Sequence, residues 1–162
     1  MKVKCVNIYN EATKEFKSDS NSLTIGKDYV VLEIYCNIKG EVSYRIVRDG
    51  EWKAPAIFLA SQFEIVSEKV SSSWGISVDK DGFITISPKQ WSRPGFWEDC
   101  YDGDPKSLEI YKQETRIMYE EEGIGTRRLG PDLVVQAGDE QMIELQPHRL
   151  QHAQDLHRHL LG

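Results

Sequence analysis

Apolar and polar residues alternate through Lys2–Tyr9, with Val3 and Cys5 on one side, and this predicts a first strand. Residues 10–22 (NEATKEFKSDSNS) are polar and turn-rich and predict a loop. Alternation returns in Leu23–Cys36, where Val30, Leu32, Ile34 and Cys36 recur at period two and Gly26 sits where the chain turns into the strand. Asn37–Glu41 reads as a hairpin turn and Val42–Arg48 as the return strand. Asp49-Gly50 is a further turn signal. Ala56–Leu59 and Phe63–Val66 are short strands joined by a tight turn at Ala60–Gln62. Short strands at this spacing predict a small barrel.

Ser67–Ser73 reads as a polar linker. Trp74–Val78 and Phe83–Ser87 then form a second hairpin through the turn Asp79–Gly82, and Pro88–Trp91 is a short helical turn. The strongest helix pattern is Lys106–Glu121, with Leu108, Tyr111, Ile117 and Met118 on one face and charge on the other. Asp104 is its expected N-cap and Pro105 fits its first turn.

The tail from Gly123 to Gly162 differs in kind. All 12 Lys lie at or before Lys112, no Phe, Tyr, Trp or Cys follows Tyr119, and all 4 His lie in the tail. Such a segment cannot build its own core, so 123–162 reads as an appendage to a single domain at 1–122, either helical or foreign to it as a tag, fusion or altered reading frame would be. Leu133–Val135 and Gln141–Leu145 could add strands, and Pro147–Leu161 a helix with Leu150, Ala153, Leu156 and Leu160 on one face.

Between hairpin and helix lies Gly95–Pro105 (GFWEDCYDGDP), with Glu98, Asp99, Asp102 and Asp104 beside Phe96, Trp97 and Tyr101. Gly and Pro at its ends predict a shaped, partly exposed loop leading into a helix. Carboxylates at a helix start need no further role, because they favour the helix dipole. The functional reading is a recognition surface: Glu98, Asp99 and Asp102 present negative charge, and Trp97 and Tyr101 supply aromatic anchors.

Other chemistry is weak. Asp79–Gly82 (DKDG) lacks the Glu that a calcium loop needs at its last position, so it reads as a plain turn. His148, His152, Asp155 and His159 share a helical side but no HExxH arrangement, and no metal site is expected. There is no GxSxG, P-loop or GxGxxG, and no cofactor is implied. Cys100 has no His within the first 147 residues to activate it.

The formal net charge of −6 and pI near 5.3 argue against a general nucleic-acid binder and suit a basic partner. Three Cys without CxxC spacing argue against a disulfide framework or zinc site. No apolar run is long enough to cross a membrane and no signal peptide is visible, so a cytoplasmic location is expected.

The run TIGKDYVVLEIY, the strand YRIVRDG and the segment APAIFLASQFEIV resemble a bacterial SH3-like barrel over Leu23–Val66. Ser71–Trp74 (SSSW), Ser87–Trp91 (SPKQW) and Pro94–Pro105 before a charged helix resemble small bacterial immunity proteins. These neutralise the toxin domains of polymorphic-toxin and contact-dependent inhibition systems. The tail departs from that family. The resemblance implies an α+β protein: an SH3-like barrel core at 23–66, a β-hairpin, one amphipathic helix and a C-terminal extension. It also implies stoichiometric toxin binding in the cytoplasm without catalysis. A cognate, basic toxin domain, a nuclease among the classes, would be held by Trp97, Glu98, Asp99, Tyr101 and Asp102. Two alternatives stand beside it. One is an SH3-like module binding peptides through Tyr29, Tyr35 and Trp52. The other is a hydrolase using the carboxylates of 98–104.

Overall fold

The computed structural model describes residues 1–10, 13–50 and 54–125. The tail elements expected beyond residue 125, the tail histidines and Trp52 lie outside the described residues.

Among the described residues ten strands and two helices follow in order: β1 (Lys2–Cys5), β2 (Ile8–Asn10), β3 (Glu15–Lys17), β4 (Asp28–Val30), β5 (Glu33–Cys36), β6 (Val42–Val47), β7 (Pro55–Leu59), β8 (Phe63–Ser67), β9 (Trp74–Val78), β10 (Ile84–Pro88), α1 (Phe96–Tyr101) and α2 (Pro105–Glu121). Single 3₁₀ turns sit at Ala60–Gln62 and Lys89–Ser92. The fold is mixed α and β with antiparallel sheets. One sheet runs β4-β1-β8, a second runs β7-β6-β5-β10-β9, and β2 pairs with β3 alone.

Among the described residues no sheet closes into a barrel, so the closed barrel expected for 23–66 is not seen. The single strand expected over Leu23–Cys36 is two strands in different sheets, because the chain crosses between them at Val31-Leu32. Both crossing residues are fully buried, facing opposite layers: Val31 packs with Val3, Tyr44 and Phe63, and Leu32 with Trp91, Phe96 and Tyr111. Period-two alternation survives such a bend because burial continues through it. β1, outside the expected barrel, is the centre of the three-stranded sheet, with Val3 and Cys5 buried as its alternation requires. The expected loop at 10–22 contains β3, whose Phe16 ring lies 5.4 Å from that of Tyr9.

The five-stranded sheet separates two cores. Its Ile34, Val42, Tyr44, Ile46 and Phe58 meet the three-stranded sheet. Against the other core pack α1, α2 and the turn at Lys89–Ser92, through Trp91, Phe96, Cys100, Tyr111 and Met118. The hairpin β9–β10 extends the sheet past β5, in the register Ile76 opposite Ile86 and Ile86 opposite Ile34.

α2 matches the expected helix, and Asp104 caps it by accepting from the Ser107 N–H at 2.7 Å. Its buried stripe is Ser107, Tyr111, Glu114, Thr115 and Met118, whereas Ile117 is exposed. Tyr111 and Met118 of the expected face are buried, Tyr111 against Trp91 and Trp97, and polar Glu114 and Thr115 stand beside them where Ile117 was expected.

Candidate functional site

Gly95–Pro105 is more ordered than its composition predicts. Gly95, at φ 76°, starts a helix and not an open loop, and Asp99 and Asp102 donate backbone N–H bonds to the carbonyls of Gly95 and Glu98. Helical spacing sorts the side chains of α1 into stripes. Phe96 and Cys100 point into the core and are buried. Trp97 and Tyr101 face the five-stranded sheet and are half-buried. Glu98 and Asp102 are exposed on a third side.

What Trp97 and Tyr101 meet is Arg45 of β6, which is 5% exposed and was not among the expected site residues. Its Nε donates to Glu33 Oε2 at 2.8 Å, its Nη2 to Tyr35 Oη at 2.6 Å and its Nη1 to Tyr101 Oη at 2.7 Å. The guanidinium carbon lies 3.8 Å from the Trp97 ring centroid, a cation–π contact. Tyr101 passes the connection on, donating to the Pro55 carbonyl at 3.0 Å, and Tyr35 donates to Glu33. Burial opposes the charge on Arg45, but Tyr101, Tyr35 and Glu33 outweigh it and hold the guanidinium protonated. Glu33 and Arg45 sit directly opposite each other on β5 and β6, so strand register brings them together. The sequence holds one signal for this: Glu33 and Arg45 are charged residues flanked on both sides by apolar or aromatic ones, in Leu32–Ile34 and Tyr44–Ile46.

The aromatic and acidic parts of the expected site therefore diverge. Trp97 and Tyr101 are committed inward, while Glu98 and Asp102 are presented outward. Asp99 pairs with Arg93 at 2.6 Å, and both are about half exposed. Asp104 is held by Ser107, whose two hydrogen bonds lower its pKa. Burial pushes the Cys100 thiol up to about 12, which disfavours its thiolate.

Of the aromatics expected on a peptide-binding surface, Tyr29 and Tyr35 lie among the described residues, and both are engaged inside the fold. Tyr29 is buried, with its hydroxyl on Asp49, and Tyr35 belongs to the Arg45 cluster. An open groove of about 590 Å³ lies elsewhere, lined by Ile8, Leu23, Arg48, Ile57 and Phe58 among others, and no residue of 95–105 lines it. No group of His, Cys, Asp and Glu suited to a metal ion occurs among the described residues. No helix among them is long and apolar enough to cross a membrane.

Compared with protein-family models, with curated proteins and with solved structures, the chain gives no match.

Proposed function

We propose that the protein is an immunity protein that binds and neutralises a cognate toxin domain by stoichiometric contact, as the resemblance of its motifs implies. The observation that supports this reading is the mounting of α1. Arg45 grips Trp97 and Tyr101 from inside, so Glu98 and Asp102 stand outward on a helix that is fixed before any partner arrives. A preorganised acidic face costs little to order on binding and steers a basic partner toward it. In this reading the interface is Glu98, Asp99 and Asp102, and Trp97 and Tyr101 support it from behind.

The reading is non-enzymatic. In hydrolases that use two carboxylates, the pair flanks the scissile bond from two sides. Asp99 is instead tied to an arginine, and Asp102 ends α1 in solvent. We also read β1 and β4–β8 as an SH3-like arrangement, supported by the crossing at Val31-Leu32, the 3₁₀ turn before the last strand and the pairing of that strand with β1.

The test is co-expression with a toxin domain encoded beside this chain, followed by affinity measurement. Rescue of growth and tight binding that weakens with salt are expected. Unchanged affinity after Glu98, Asp99 and Asp102 are all replaced by Ala would remove the acidic face from the interface.

A further inference from the structure

β9 ends the five-stranded sheet. The Asp79 N–H donates to the Phe83 carbonyl at 3.0 Å, which sets the phase of the β9–β10 ladder. Antiparallel pairs alternate between bonded and non-bonded, so Ser77 and Gly75 bond to β10 while the N–H and C=O of Ile76 and Val78 point away from it. The Trp74 carbonyl points the same way, and its N–H turns back to the Ser71 carbonyl at 3.2 Å. No strand lies beyond this row among the described residues.

Edge strands are normally protected by charge, proline or a bulge. β4 has Asp28, β7 begins at Pro55 and β8 carries Glu64. β9 (WGISV) has none of these, and its register with β10 runs without a shift. Its side chains invite pairing too: Ile76 is 73% exposed and Val78 63%.

We propose that this edge pairs with the same edge of a second copy of the chain, antiparallel across a two-fold axis at Ile76. In that register Ile76 exchanges both backbone bonds with its counterpart, and each Val78 N–H donates to the Trp74 carbonyl of the other copy. Asp79, Lys80 and Asp81 fall opposite the uncharged Ser73, Ser72 and Ser71, and Lys80 comes to the side where Glu121 accepts from the Ser72 N–H. Trp74 then neighbours Val78 across the axis, and the exposed isoleucines shield one another. The edge therefore complements itself in hydrogen bonding, apolar pattern and charge.

This pairing does not rest on the acidic face of α1, and salt separates the two. Each copy carries a formal net charge of −6, so salt should strengthen the dimer while weakening binding to a basic partner. Sedimentation velocity on the full chain, from micromolar to near-millimolar concentration at low and high salt, should show a monomer–dimer equilibrium that shifts toward dimer with both. Ile76→Lys brings two like charges together on the axis and should weaken dimerisation by about tenfold or more. Val78→Pro removes an outward N–H while sparing the bonds to β10, and should have the same effect. Circular dichroism of both variants checks that the fold is kept. A chain that stays monomeric throughout overturns the proposal. So does a dimer that neither variant weakens.

Discussion

The guanidinium of Arg45 stacks 3.8 Å from the ring centroid of Trp97, which joins the second strand of a buried charge pair to the first helix of the protein. Through this contact a core arginine decides how an external acidic face is held. Arg45 is 5% exposed and Glu33 2%, so neither charge has water to fall back on.

Arg45→Met should therefore destabilise the fold by about 3–5 kcal/mol, because it leaves the Glu33 carboxylate buried without its partner. Urea unfolding measures this. Adding Glu33→Gln to Arg45→Met should recover part of the loss, and a double variant no more stable than the single one would argue against the pair. Arg45→Lys should not rescue, since an ammonium cannot reach Glu33, Tyr35 and Tyr101 in the same plane.

Tyr101→Phe removes the acceptor of Arg45 Nη1 and the donor to the Pro55 carbonyl, and should cost about 1–3 kcal/mol. Glu98→Ala and Asp102→Ala touch no such network and should stay within about 0.5 kcal/mol of the parent. On partner affinity the order reverses in character. The carboxylate variants should weaken binding roughly two- to fivefold each, the scale of an exposed ion pair, with a shallower salt dependence. Equal stability losses in all three variants would mean that α1 has no inner and outer side.

Thiol reactivity should follow position. Cys5 and Cys100 are buried with raised pKa values, Cys100 up to about 12, while Cys36 is half-buried. In the folded protein iodoacetamide should label Cys36 first, with Cys5 and Cys100 protected until denaturant is added. Rapid native labelling of Cys100, read by peptide mass, would contradict the packing of α1.

Asp49 should contribute to acid lability. Burial alone would raise its pKa, but hydrogen bonds from Lys27, Tyr29 and Thr24 more than offset this and the net shift is downward. A carboxylate lowered in the folded state stabilises it above the unfolded pKa, and that stability drains away as pH falls through the folded value. Asp49→Asn should thus melt lower than the parent at pH 7, with the gap narrowing below about pH 4. Melting curves that stay a constant distance apart from pH 7 to strong acid would remove Asp49 from the acid response.

Much of the secondary structure was legible in local pattern. The Trp74–Val78 strand, the turn at Ala60–Gln62 and the helix from Pro105 with its Asp104 cap need only neighbouring residues, and they stand where alternation, turn chemistry and capping place them. The candidate site was legible only by address. Its carboxylates and aromatics are contiguous, but which of them face outward depends on Arg45, a residue 52 positions before Trp97 in the chain.

By itself, then, the sequence determined the hairpin strand Trp74–Val78, the capped helix and the acidic character of Gly95–Pro105, all of which are written in near neighbours. Tertiary structure alone decided that Val31-Leu32 passes from one sheet to the other and that α1 turns Trp97 and Tyr101 inward. It also decided that Glu33 and Arg45 share a buried ion pair. The physical reason is common to all three. Each depends on what a distant strand places beneath the residue, and alternation along a chain records that a side is buried without recording against what.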